Sequence, residues 1–189
     1  MSVNKKKFIY LISPPKIYKS FYTDLISVIK QKKVSFFQLR IKRDSFKKKL
    51  LIGRKLKKIC KRFNIKFLIN DDVFLAKKLN ADGCHLGQKD MNIRKAKKIL
   101  KNKYIGITCH NSLRLAKIAS LNGANYIAVG AFYKTSTKKI KHRANFKTLR
   151  KIKKSVNLPV VAIGGINEKN YKNLLLNKAD FLAISSYIW

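Results

Sequence analysis

Apolar residues recur along this chain in two alternating rhythms. Short, nearly continuous apolar runs span Phe8 to Ile12, Val34 to Leu39, Lys66 to Ile69, Asp82 to Leu86, Tyr104 to Ile107, Asn125 to Val129, Pro159 to Ile163 and Asp180 to Ile184. Between them apolar positions step by three or four, as in Ile17, Phe21, Leu25 and Val28, in Ile52, Leu56, Ile59 and Phe63, and in Phe146, Leu149, Ile152 and Val156. The first rhythm predicts strands and the second amphipathic helices. Strand followed by helix, repeated to the end, predicts parallel strands joined by right-handed crossovers. Continuous rather than alternating apolar strands are expected to be covered on both faces. Eight such units predict an α/β fold, a (β/α)8 TIM barrel in one domain over residues 1–189, which is short of the usual lower bound of about 200 residues. Five residues follow the eighth run, so the last helix is expected to be absent. Phe181 and nearby Leu182 or Ile188 would then face an uncovered gap, and the expectation is either a homodimer that covers strand eight, with Tyr187 and Trp189 at the contact, or a chain of marginal stability.

Composition narrows the class. Of the 189 residues 46% are apolar, enough to fill a core and too many for an intrinsically disordered chain. No apolar run approaches the roughly 18 residues of a membrane span. Lys5, Lys6 and Lys7 precede only Phe8 to Ile12 before Ser13-Pro14-Pro15, too short a stretch for a secretory signal, so a cytoplasmic location is expected. Cys60, Cys84 and Cys109 are odd in number and widely spaced, which favours buried apolar packing over disulfides or zinc.

The chain carries 45 Lys+Arg against 8 Asp+Glu, a formal net charge of +37. Lysines make up 37 of these cations and run through every segment, mostly on polar helix faces, whereas a nucleic-acid surface would concentrate arginines with aromatics. A specific nucleic-acid partner is therefore not expected, although such a field would steer small anionic substrates. Against this background the acids stand out. Asp71, Asp72, Asp82 and Asp90 fall within 20 positions, where an even scatter would place about one. Carboxylates kept together at two neighbouring strand ends suit Mg²⁺, which takes one or two of them and fills its other positions with water and phosphate oxygens. Asp72 and Asp82 read as turn or cap residues, and Asp71 and Asp90 as the metal ligands.

In a parallel barrel the chemistry collects at the C-terminal strand ends, and those positions here are polar or glycine. A period of two points Gln38, Arg40 and Lys42 the same way. Asn70 and Asp71 end strand three, Gly87-Gln88-Lys89-Asp90 follows strand four, and Thr108-Cys109-His110 follows strand five. Thr135, Ser136, Thr137 and Lys138 offer donors suited to phosphate, as does Gly164-Gly165, where glycine permits close backbone approach. Ser185 and Ser186 follow strand eight. His85, inside a strand, reads as a packed core residue. His110 reads either as orienting a neighbour or as touching substrate, and His142 as solvated.

Taken together, Phe37-Gln38-Leu39-Arg40-x-Lys42, Leu68-Ile69-Asn70-Asp71, Ala81-Asp82-Gly83-Cys84-His85-Leu86-Gly87-Gln88-Lys89-Asp90, Gly130-Ala131-Phe132-Tyr133-x-Thr135-Ser136-Thr137-Lys138 and Val161-Ala162-Ile163-Gly164-Gly165-Ile166 resemble the thiamine phosphate synthase family. That resemblance spans almost the whole chain, in order. It implies a transferase of thiamine biosynthesis that joins hydroxymethylpyrimidine diphosphate to a thiazole phosphate and releases pyrophosphate. It implies that Gln38, Arg40 and Lys42 hold the pyrimidine diphosphate, with Leu39 and Ile41 in the same binding segment and Asn70 on the pyrimidine ring. Asp71 and Asp90 would hold Mg²⁺, Thr108 would stand beside the reacting centre, and Lys138 would bind diphosphate. Arg40, Thr108 and Lys138 would thus carry the catalysis. Thr135, Ser136, Thr137, Gly165, Ser185 and Ser186 would line the thiazole phosphate site. Ile41, Lys134 and Ser185 depart from the usual pattern, where an acid, a proline and an apolar residue stand. Two other readings compete. A thiazole tautomerase would share the fold but has little use for the acids, and a basic nucleic-acid-binding protein would account for the charge but not for the acid cluster.

Overall fold

The computed structural model describes residues 8–134 and 143–189. Eight parallel strands close into a barrel in sequence order: β1 (Ile9–Ile12), β2 (Val34–Leu39), β3 (Lys66–Asn70), β4 (Gly83–Leu86), β5 (Tyr104–His110), β6 (Tyr126–Gly130), β7 (Val160–Ile163) and β8 (Phe181–Ile184), with β8 pairing back onto β1. Seven helices among the described residues alternate with them: α1 (Phe21–Gln31), α2 (Phe46–Arg62), α3 (Val73–Lys78), α4 (Ile93–Leu100), α5 (Leu113–Leu121), α6 (Phe146–Ser155) and α7 (Tyr171–Leu176). The expected TIM barrel without its last helix is what the chain forms. The largest departure from the expected strands is β5, which continues through Thr108 and Cys109 to His110 with a register irregularity against β6.

Apolar side chains divide into two layers because successive strand residues point to opposite faces. Outward positions such as Leu11, Phe37, Ile69, Cys84, Ile105, Ile127 and Leu182 pack beneath the helices in one large core. Inward positions form a smaller cluster of Tyr10, Ile12, Leu68, Tyr126, Ala128, Val161 and Ala183, flanked by Phe36, Ile163 and Phe181. The three cysteines are free and buried, as expected, and burial pushes the Cys109 thiol up to about 12.

Strand eight overturns one expectation. Phe181 does not face a gap: it points into the barrel, with its ring edge-on to Phe36 at 5.1 Å between centroids. The parity is set by pairing, since Leu182 aligns with outward-facing Ile9 and is fully buried in the outer core. Trp189 is not at a free surface either. Its indole packs 4.9 Å from Phe21 of α1 and donates its Nε1–H to the Ile12 carbonyl at 2.6 Å. The chain's own tail thus packs back against α1, and of the two aromatics Tyr187 is exposed.

The two rims of the barrel are finished differently. At the N-terminal rim, Asp82, Asn125 and Asp180, each directly before an even-numbered strand, accept the N–H groups of Phe67, Ile105 and Val160 at 2.8 Å. At the C-terminal mouth, helix caps organise the loops: Ser45, Asp72, Asn92, Ser112 and Asn145 accept N–H groups in the first turns of α2 to α6. Asp72 and Asp82 thus have the structural roles expected of them.

Candidate active site

Three neighbouring strand ends meet at the mouth. From β2, Gln38 turns inward and is buried, Arg40 is half-buried with its N–H on Ser13 Oγ at 2.9 Å, and exposed Lys42 reaches across to Asp71 at 2.7 Å. β2 ends at Leu39, so Arg40 and Lys42 lie in the loop beyond the strand, where its period of two no longer applies. Leu39 and Ile41, together with Lys42, Lys49, Ile69, Asn70, Asp71, Asp72 and Leu75, line a cavity of about 220 Å³ beside the mouth.

Asp71, directly after β3, adopts φ +65°, a left-handed conformation that Asp tolerates better than most residues. Its N–H donates to the His85 carbonyl at 2.8 Å, and Asp72 starts α3 immediately afterwards. These constraints bring the Asp71 carboxyl within hydrogen-bonding reach of Asp90. Asp90 is held from its own side, because Oδ2 accepts the Gly87 N–H at 2.6 Å. Their titration differs. Burial pushes Asp71 up, but the Lys42 ammonium, the Asp90 carboxyl and the Arg40 guanidinium outweigh it and hold Asp71 below its ordinary value. Asp90 is raised by burial and by Asp71, against the Gly87 N–H and Lys42. Two carboxylates this close cannot both ionise freely, so the site attracts a cation or keeps a proton.

This pair fits Mg²⁺ in donor chemistry: hard carboxylate oxygens, crowded enough to compete for one proton, and open to substrate oxygens. Among the described residues no third His, Cys, Asp or Glu joins them.

On the adjacent strands, half-buried Thr108 hydrogen-bonds into the barrel interior, its Oγ1 lying 2.9 Å from His85 Nε2. Gln88 Nε2 donates to the Thr108 carbonyl at 2.6 Å. His85 is the packed core residue expected, and its other nitrogen meets Tyr126 OH at 3.0 Å. His110 ends β5 at φ +53°.

The remaining expected residues are distributed unevenly. Thr135, Ser136, Thr137, Lys138 and His142 lie outside the described residues. Gly164 and Gly165 have φ of +105° and +62°. A Cβ there would lie 2.3 Å from Ala131 Cβ and 2.2 Å from the Lys134 carbonyl oxygen, so the glycines admit the β6 loop closely. A helix does not follow them directly. A turn intervenes in which Asn170 Nδ2 donates to the Gly165 carbonyl, and α7 starts at Tyr171. Ser185 Oγ donates to the Ser13 carbonyl at 3.4 Å, and Ser186 is exposed.

Sequence reasoning missed Tyr10 and Tyr126. Their signal was parity: Tyr10, Gln38, His85, Thr108 and Tyr126 all occupy inward strand positions, where polar tips must find one another. Gly106 was a second signal, since a Cβ there would lie 1.9 Å from the Tyr126 ring.

A closed parallel barrel with cations, paired carboxylates and a hydroxyl converging at its C-terminal mouth defines the class, a (β/α)8-barrel enzyme handling anionic substrates. The profile of the thiamine monophosphate synthase family matches residues 9–188, and the chain belongs to that family. It is 64% identical to the thiamine-phosphate synthase of Pelagibacter ubique, over 100% of this chain and 93% of that one. Identity to the thiamine-phosphate synthase of Clostridium acetobutylicum is 40%, over 95% and 86% of the two chains. Among solved structures, thiamine phosphate pyrophosphorylase from Pyrococcus furiosus superposes with a TM-score of 0.84 at 32% identity, covering 95% of this chain and 86% of that one.

Proposed function

We propose that the mouth of this barrel joins hydroxymethylpyrimidine diphosphate to a thiazole phosphate, releasing pyrophosphate. The observation that carries the reading is the Lys42, Asp71 and Asp90 cluster, set beside Arg40 and Thr108 at adjoining strand ends. In the reaction a carbon–oxygen bond of the pyrimidine diphosphate breaks and the freed methylene carbon bonds to the thiazole. Negative charge gathers on the departing pyrophosphate and positive charge on the pyrimidine, so cations are needed more than a strong base. Arg40 and Lys42 bind the diphosphate. Gln38 and Asn70 face the pyrimidine, with Leu39 and Ile41 forming the apolar side of the neighbouring cavity. Asp71 and Asp90 would hold Mg²⁺, which when bound supplies charge to the pyrophosphate oxygens.

Thr108 is a hydroxyl donor beside the reacting carbon. Lys138 serves the same diphosphate, while Thr135, Ser136, Thr137, Gly165, Ser185 and Ser186 receive the thiazole phosphate. The partners are thus two phosphorylated small molecules rather than nucleic acid. Among the described residues no helix is long and apolar enough to cross a membrane, and a cytoplasmic biosynthetic role accords with the reading. The test is to mix the protein with both phosphorylated substrates and Mg²⁺ and measure thiamine phosphate and pyrophosphate in equal amounts. Absence of both products would overturn the proposal.

A further inference from the structure

Five polar side chains form an unbroken line through the barrel interior. Gln38 Nε2 donates to Tyr10 OH at 2.7 Å, Tyr10 OH meets Tyr126 OH at 2.8 Å, Tyr126 OH meets His85 Nδ1 at 3.0 Å, and His85 Nε2 meets Thr108 Oγ1 at 2.9 Å. Four of the five are buried, and Thr108, at the end of the line, is partly exposed. We infer that Tyr10, Tyr126 and His85 are a one-directional hydrogen-bond relay that anchors Gln38 at one side of the mouth and turns the Thr108 hydroxyl proton toward substrate at the other.

Proton counting gives the direction. Each phenol has one proton to donate. Because Tyr10 receives the Gln38 N–H, its own proton goes to Tyr126, and the Tyr126 proton then goes to His85 Nδ1. The His85 Nδ1 that accepts this proton bears none of its own, which leaves the ring a single proton. With Nδ1 accepting, that proton sits on Nε2 and is donated to Thr108 Oγ1. The Thr108 oxygen is thereby occupied as an acceptor from below, and its own proton is left to point into the mouth. Gly106 makes the line possible, because any side chain there would strike the Tyr126 ring. The relay thus accounts for three buried polar residues that touch no substrate in the proposed reaction, and it deepens that reading by assigning Thr108 a fixed polarity as donor.

The test uses the full chain and has two arms. Nitrogen NMR of the histidines, assigned with His110→Asn and His142→Asn variants, should show His85 protonated at Nε2 and bare at Nδ1. In Tyr126→Phe, Nδ1 loses its donor and the ring should become a mixture of tautomers. In the kinetic arm, Tyr126→Phe should lower kcat by about tenfold, with KM for the thiazole phosphate unchanged, which is less than the loss from deleting a transition-state donor outright. In a Thr108→Val background the same substitution should cost nothing further, and Tyr10→Phe, which cuts the line nearer Gln38, should show the same non-additivity. A wild-type His85 protonated at Nδ1, or additive effects of Tyr126→Phe and Thr108→Val, would overturn the relay. The NMR arm needs no substrate, so a protein that makes no thiamine phosphate would sink the proposed reaction while the tautomer still decides the relay.

Discussion

The two ends of this barrel use the same acidic side chains for opposite purposes. At the N-terminal rim Asp82 and Asp180 spend a carboxylate oxygen on a backbone N–H at the start of the neighbouring strand, and Asn125 does the same with an amide oxygen. At the C-terminal mouth Asp71 sits in a left-handed conformation against Lys42 and Asp90, so that two carboxylates crowd each other. The rim arrangement satisfies buried strand ends and adds stability. The mouth arrangement leaves charge unresolved and is suited to gaining a ligand. What separates a structural acid from a candidate ligand here is what its oxygens already bind, not its residue type.

Exchanging one end's acids for amides should separate the two roles most clearly. Asp71→Asn or Asp90→Asn should lower pyrophosphate release by on the order of 10² or more, with the circular dichroism spectrum unchanged. Asp82→Asn and Asp180→Asn should keep kcat close to wild type. Equal losses of turnover at the rim and the mouth would break the comparison.

Gly106→Ala tests the floor that supports the mouth. Its Cβ would lie 1.9 Å from Tyr126 Cζ, inside a fully buried layer, and overpacking of that kind costs about 1–3 kcal/mol. A urea denaturation midpoint identical to wild type would show that the Tyr126 ring can move aside.

Removing a rim acceptor entirely should cost somewhat less. Asp82→Ala leaves the Phe67 N–H without its acceptor, worth about 1–3 kcal/mol if water cannot reach it and less where it can. Asp180→Ala also loses Lys153 at 2.7 Å, but that pair is partly exposed and adds at most about 1 kcal/mol. Denaturation of both variants, with turnover measured in parallel, checks the order.

The smallest effect is a pH dependence at the mouth. Asp71, held low, contributes stability above its unfolded value that is lost as pH falls through its folded value. Asp90, held high, acts the other way: its crowding weakens the fold as pH rises through its raised value. Asp90→Asn should therefore flatten the upper part of the stability profile, by less than about 1 kcal/mol because the site is largely open to solvent. Adding Mg²⁺ should raise the melting temperature of the wild type and leave Asp90→Asn unmoved, which thermal unfolding with and without the ion measures.

The eight strands and the barrel were legible in the sequence because each strand is a continuous apolar run and each helix an amphipathic one, both local patterns. The acids at 71 and 90 were legible for a compositional reason: in a chain with so few carboxylates, a cluster at two strand ends needs an explanation. Parity placed Gln38 on the inward face by the same local geometry, while Arg40 and Lys42 fall in the loop past the end of β2, beyond the reach of strand parity. Other features depended on contacts between residues far apart in the chain. Phe181 faces inward because β8 pairs with β1 in a particular register, and Trp189 covers Phe21 because barrel closure brings the last residue to the first helix. The line from Gln38 to Thr108 crosses five strands, and its polarity follows from which neighbour each hydroxyl meets. Sequence periodicity determines which face of its strand a side chain takes. Only the closed barrel decides which other side chain waits there, because register and closure are set by pairings that join distant parts of the chain.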